Sequence, residues 1–212
     1  MGDITLAQVT DWLGRVKDSV AANREYLTAL DSAIGDADHG SNLTRGFNAV
    51  VEKLAASPPA TIAALLQSSG MTLVSTVGGA SGPLYGTMLL RMGKAIGETD
   101  TATSTQLGEA LRAGLEGVVA RGKAEVGDKT MIDALDPAVA AYQAAVGNGD
   151  DAAQAARAAA TAAAEGRDAT EPLIARKGRA SYLGERSAGH IDPGSASTSL
   201  LLDALAAALQ KD

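Results

Sequence analysis

Cysteine is absent from this 212-residue chain, and aromatic side chains make up only 3% of it. The first absence excludes disulfides, thiolate nucleophiles and cysteine-ligated zinc, and it is compatible with a reducing compartment. The second absence constrains the core. With 46% of the residues hydrophobic, a core has to be assembled from Ala, Leu, Val, Ile and Met. Small aliphatic residues of high helix propensity favour close-packed helices over a sheet of β-branched and aromatic ones. The expected fold class is therefore all-α. Nowhere does the chain approach the ~20 uninterrupted apolar residues of a membrane span, and Met1 to Thr5 bring no basic segment followed by an apolar run. The net charge of −7 gives no ground for nucleic acid or an anionic membrane as partner. A soluble, cytoplasmic protein is expected, with its acidity serving solubility.

Periodicity supplies the helices. Leu6, Val9, Trp12, Leu13, Val16 and Val20 recur at three- and four-residue spacing, one face of a helix that Thr5 or Asp3 can cap and that continues to about Gly35. Leu43, Phe47, Val50, Val51 and Leu54 mark a second, and Ile62, Leu65 and Leu66 a short third. Thr72 to Val77 has strand-like residues but no partner strand, so it too is read as helix. Leu84, Met88 and Met92 follow, then Leu107 to Val118, Met131 to Tyr142, the alanine-rich run Ala152 to Ala164, and Leu201 to Leu209. That is roughly eight helices with short connections, antiparallel by default. With no long linker and no repeat, one domain spanning residues 1–212 is expected.

The connections are where the chemistry gathers. Asp31, Asp36 and Asp38 stand on either side of Gly35, which lets the chain fold back so that three carboxylates converge. Hard anionic oxygens in that number suit Mg²⁺ or Ca²⁺. An EF-hand fails, because a loop starting at Asp36 would need a ligand at Gly40 and a closing Glu at Phe47. Read alone, Asp36 and Asp38 fit a turn and a helix cap at least as well. The two histidines, His39 and His190, lie in glycine-flanked polar loops suited to anion contact. Ser41 and Asn42, at a helix start, suit a phosphate. Gly78-Gly79-Ala80-Ser81-Gly82-Pro83 opens another helix but is neither a Walker A loop nor a hydrolase elbow. Arg176 to Ser187 is the one basic cluster in an acidic chain, readable as a solvated loop or as a phosphate-facing lid.

Four motifs together resemble the dihydroxyacetone kinase L-subunit family, the nucleotide-binding part of that enzyme: Gly35-Asp36-Ala37-Asp38-His39-Gly40, the Gly78–Pro83 loop, Gly127-Asp128-Lys129-Thr130-Met131, and Ala175 to Ser187. They occur in the family's order without departure. The resemblance implies a barrel of eight antiparallel helices with the nucleotide in the loops at one end. It implies that Asp31, Asp36 and Asp38 hold two Mg²⁺ ions on the phosphates of ADP or ATP. His39, Gly40, Ser41, Asn42, Ala80 and Ser81 would line the nucleotide, Gly122 and Met131 would flank the adenine, and Arg179 with Asp192, Pro193 and Gly194 would close over it.

A chain consisting of this module alone resembles the phosphotransferase-system type, which implies further parts. ADP would be a retained cofactor, recharged by a multiphosphoryl carrier (M) subunit and discharged to dihydroxyacetone on a separate K subunit, with no protein nucleophile in this chain. Two alternatives stay open: exchangeable ATP used on a short ketose, and a nucleotide-state sensor read by a regulatory protein. A homodimer also stays open.

Overall fold

The computed structural model describes residues 4–210, so Asp3 as an alternative cap lies outside the described residues. In chain order the elements are β1 (Ile4–Thr5), α1 (Leu6–Ala22), α2 (Arg24–Ile34), α3 (His39–Ala56), α4 (Ile62–Thr76), α5 (Ser81–Ile96), β2 (Thr101–Ala102), α6 (Ser104–Gly122), α7 (Ile132–Gly147), α8 (Ala152–Ala169), a 3₁₀ segment (Arg179–Ser187) and α9 (Pro193–Leu209). The all-α class holds, and β1 and β2 form only a two-residue antiparallel pair.

The helix count differs slightly from the expectation, for a local reason. The first predicted helix breaks at Asn23, whose side-chain amide donates to the Ser19 carbonyl at 2.9 Å. Asn competes with the helix for its own backbone partners, so α1 ends there and α2 begins. Conversely, Ile62 to Thr76 is one helix, and the strand-like Thr72–Thr76 stretch is its last turns.

Each of α3 to α8 packs on its successor, α1 packs on α3, and α9 returns to α1, which closes a ring of eight helices. α2 packs on α3, α9 and the 3₁₀ segment. Trp12 secures the closure: it is fully buried in the core, and its indole N–H donates to the Leu201 carbonyl on α9 at 3.0 Å. The alanine-rich run is α8, and Ala155, Ala156, Ala159 and Ala163 let it sit close against its neighbours. No described helix is long and apolar enough to cross a membrane.

The helices differ in how they begin. α1, α4, α6, α8 and α9 start at Thr5, Thr61, Thr103, Asp151 and Asp192, and each of these side chains accepts a first-turn N–H. α3, α5 and α7 start at Asp38, Ala80 and Met131, and none of these provides a side-chain cap. At α3 the His39 N–H donates to Asp31 instead, and at α7 the Ile132 N–H donates to Thr130 Oγ1.

Candidate active site

A cleft of about 480 Å³ opens among the connections α2–α3, α4–α5, α6–α7 and α8–α9. The starts of α3, α5, α7 and α9 all line it, through Asp38 and His39, Ala80 and Ser81, Met131 and Ile132, and Pro193 and Gly194. Four helix N-termini place partial positive charge around one space, an arrangement that favours an anion. Leu84, Val118, Ala124 and Ile132 give the opposite wall an apolar surface.

Asp31, Asp36 and Asp38 meet at the rim with carboxylate oxygens within 4.8 Å of one another. Their geometry follows from the local sequence. Asp31 is buried on the last turn of α2, and its Oδ2 accepts the backbone N–H groups of Asp38 (2.8 Å) and His39 (3.1 Å). These bonds fold the loop back over the helix end. Gly35 makes the fold-back possible, since a Cβ there would lie 2.0 Å from Asp31 Oδ1. Ala37 adopts a left-handed φ of 62° between the other two aspartates. Asp38 sits at the N-cap position of α3 without capping it, so the plain helix-cap reading does not account for its carboxylate. Three hard oxygen donors converging on one point fit a divalent cation such as Mg²⁺.

His39 is buried, and both ring nitrogens are engaged: Nε2 lies 2.8 Å from Ser197 Oγ and Nδ1 lies 3.1 Å from Ser81 Oγ. Burial holds its pKa below the ordinary value, against the opposing charges of Asp31 and Asp38. Tyr85 lies beneath, with its hydroxyl 2.7 Å from Ser197 Oγ and 2.9 Å from Thr198 Oγ1, and burial pushes its pKa up to about 12. Asp192 starts α9 by accepting the Ser195 N–H at 2.6 Å, and burial raises its pKa to about 7. Arg179, on the 3₁₀ segment, reaches across to Asp36 at 3.0 Å. That segment rests on α2 through Ile34, Ala175, Ala180 and Leu183, and lies between Gly178 and Gly189, both at positive φ.

Of the residues expected from sequence, Asp31, Asp36, Asp38, His39, Ala80, Ser81, Gly122, Met131, Arg179, Asp192, Pro193 and Gly194 all line the cleft. Gly40, Ser41, Asn42 and His190 do not. Gly40 is packed under α2, where a Cβ would fall 2.2 Å from the Arg24 carbonyl. The Ser41 hydroxyl donates to the Asp38 carbonyl and borders a separate groove with Arg24 and Arg45. Asn42 accepts from Arg45 at 2.7 Å. One turn of helix points successive side chains in different directions, so any contact these three residues make with a ligand in the cleft would come through backbone N–H groups at the start of α3.

Lys129 was given no role on sequence grounds. It is only 1% exposed, and its ammonium donates to the carbonyls of Thr170 (2.9 Å), Leu173 (3.0 Å) and Glu171 (3.2 Å). It thereby ties the α6–α7 loop to the end of α8. Asp133 tightens the same loop, accepting from Gly127 N at 2.6 Å and Thr130 N at 2.7 Å. A lysine inside a Gly-Asp-Lys-Thr run was the available signal, but its partners lie about forty residues away.

The model for the DAK2 domain matches residues 33–207. The ADP-binding subunit DhaL of the PEP-dependent dihydroxyacetone kinase of Escherichia coli (strain K12) is 45% identical over 98% of this chain and 99% of its own length. The corresponding subunit of the PTS-dependent enzyme of Lactococcus lactis (strain IL1403) is 40% identical over 95% and 97%. The chain belongs to the DAK2 family, among the ADP-binding subunits of dihydroxyacetone kinases. A crystal structure of the dihydroxyacetone kinase from C. freundii in complex with AMP-PNP and Mg²⁺ superposes on 98% of this DAK2 chain and 35% of its own, with a TM-score of 0.73 and 28% identity. The enzymes of this family are kinases.

Proposed function

We propose that the cleft holds an adenine nucleotide with two Mg²⁺ ions on Asp31, Asp36 and Asp38, and that the protein is the ADP-binding subunit of a phosphotransferase-system-dependent dihydroxyacetone kinase. The observation carrying this reading is the converging carboxylate triad beside helix starts that line the cleft. Metal ions bound there would neutralise phosphate charge during transfer. The chain's own residues would do the positioning. First-turn amides of α3 and α5 would meet the phosphates, with Ser81 adding a hydroxyl. The apolar wall around Leu84, Val118 and Met131, with Gly122 beside it, would take the adenine. Arg179 would turn from Asp36 toward the transferring group, since an exposed pair of this kind is weak and easily exchanged. Asp192, Pro193 and Gly194 would close the far side.

The chain has no cysteine, and among the described residues both ring nitrogens of His39 meet serine hydroxyls; the phosphoryl group would pass between nucleotide and partners directly. A carrier (M) subunit would recharge ADP in place, and dihydroxyacetone on a K subunit would accept the group. The names of the E. coli and L. lactis relatives support this donor class. Such a carrier relay would place the protein in the cytoplasm. Native mass spectrometry of extensively dialysed protein tests the reading. The expected mass is the chain plus ADP and two Mg²⁺. A bare chain that takes ATP only transiently would replace the retained-cofactor reading with an exchangeable-ATP enzyme.

A further inference from the structure

Along the cleft floor runs a continuous chain of hydrogen-bonding groups drawn from three helices. Ser81 Oγ lies 3.1 Å from His39 Nδ1, and His39 Nε2 lies 2.8 Å from Ser197 Oγ. Ser197 Oγ lies 2.7 Å from the Tyr85 hydroxyl, which lies 2.9 Å from Thr198 Oγ1. The inner end meets a group that can only accept: the Gly194 carbonyl, 2.8 Å from Thr198 Oγ1, 3.1 Å from Ser197 Oγ and 3.2 Å from the Tyr85 hydroxyl. Ser81, at the other end, lines the cleft, as do His39, Tyr85 and Gly194, while Ser197 and Thr198 are buried and do not.

A neutral imidazole has one N–H, and which nitrogen carries it is set by the partners. Two complete proton arrangements are therefore available. In the inward one, Ser81 donates to Nδ1, Nε2–H donates to Ser197, Ser197 to Tyr85, Tyr85 to Thr198 and Thr198 to Gly194. Ser197, Tyr85 and Thr198 then each give and receive once, and Ser81, which only gives, presents lone pairs to the cleft. In the outward one, Tyr85 donates to Ser197, Ser197 to Nε2, and Nδ1–H to Ser81, whose own hydrogen is released toward the cleft. An anion prefers the second arrangement, and an empty floor prefers the first, because only there can the Tyr85–Thr198 and Thr198–Gly194 bonds form together.

We propose that Tyr85 is a positioning residue that makes the outward arrangement attainable, so that nucleotide binding switches the His39 tautomer and turns Ser81 from acceptor to phosphate donor. This rests on the nucleotide reading given above. Tyr85 is needed because it alone in the chain of groups can supply a hydrogen to Ser197 while Ser197 supplies its own to His39. With phenylalanine in its place, Ser197 keeps a fully satisfied inward arrangement through the Gly194 carbonyl, and the outward one loses a hydrogen bond. The net value of one buried hydrogen bond translates to about fivefold in nucleotide affinity.

The test is ¹⁵N NMR of the imidazoles in labelled protein, with and without ADP and Mg²⁺. The chain has two histidines, and His190→Gln assigns them. Wild type is expected to show the Nε2–H tautomer of His39 alone and the Nδ1–H tautomer with ADP and Mg²⁺. Tyr85→Phe is expected to keep Nε2–H in both conditions and to bind ADP about fivefold more weakly. Ser197→Ala, which removes the middle link, serves if the first variant does not fold. A purely structural Tyr85 would lower the melting temperature and leave the tautomer switch intact, and that result overturns the proposal, as does a wild-type ring that keeps one tautomer throughout. Failure of ADP and Mg²⁺ to bind wild type overturns the nucleotide reading and the switch with it.

Discussion

Replacing Lys129 by Met is a demanding test of how the site is braced. The ammonium donates to three backbone carbonyls, those of Thr170, Glu171 and Leu173, from a side chain 1% exposed. Hydrogen bonds from a charged donor are worth about 1.5–3 kcal/mol each in isolation, but they share one ammonium and do not add. Burying that charge also costs energy, and methionine recovers part of the packing. A net loss of about 2–4 kcal/mol follows, chiefly from carbonyls left without a donor. For a chain of this size each kcal/mol lowers the melting temperature by about 2–4 °C, which predicts a fall of about 5–15 °C. Differential scanning fluorimetry, backed by urea unfolding, measures it. Lys123→Met on the exposed end of α6 is the control and is expected to stay within about 0.5 kcal/mol of wild type. If Lys129→Met melts within the range of that control, the lysine is not the clamp described.

Gly35→Ala is expected to abolish divalent-cation binding by displacing the Asp31 carboxylate, while circular dichroism keeps its helical signal; unchanged titration of Mg²⁺ by calorimetry would oppose this. Asp36→Asn and Asp38→Asn should each stop phosphoryl transfer in a coupled assay with helicity retained, and near-normal turnover in either rejects the metal assignment. The folded protein holds the Asp192 proton up to about pH 7, whereas the ordinary value is 3.8. Between these limits the folded state binds more protons than the unfolded chain, so this group makes stability fall as pH rises, by up to about 1.4 kcal/mol per pH unit. Denaturant melts of wild type and Asp192→Asn between pH 4 and 7 should therefore diverge in slope, with asparagine still able to cap α9.

Much of this fold was legible because helices announce themselves locally. The stripe from Leu6 to Val20, the Thr5 cap and the alanine run of α8 each carry their own period or propensity, and the strand-like Thr72–Val77 stretch was outvoted by its lack of a partner. The break at Asn23 was not legible, since asparagine is tolerated within helices and only the side-chain bond to Ser19 marks it. Most of the cleft residues were found through the four motifs. Gly40, Ser41 and Asn42, expected beside them, lie off the cleft lining: Asn42 accepts from Arg45 and Ser41 borders a groove with it, while His39 faces the cleft. The bracing by Lys129 and the relay through Ser197 were beyond reach, because His39 and Ser197 are 158 residues apart and no local pattern couples them.

Four helix starts line the cleft. Asp192 caps α9 there, and α3 and α7 satisfy first-turn donors through Asp31 and Thr130, whereas α5 has no side-chain cap. Nucleotide binding there should stabilise the protein in proportion to the logarithm of ligand concentration.

The central claim is that Asp31, Asp36 and Asp38 hold metal on a nucleotide, and counting bound Mn²⁺ by electron paramagnetic resonance tests it directly. In the presence of ADP the wild-type chain is predicted to bind two Mn²⁺ ions, and Asp38→Asn, at unchanged helicity, at most one. Equal Mn²⁺ binding by the two proteins, or ADP binding that survives removal of all divalent cations with a chelator, would contradict the account.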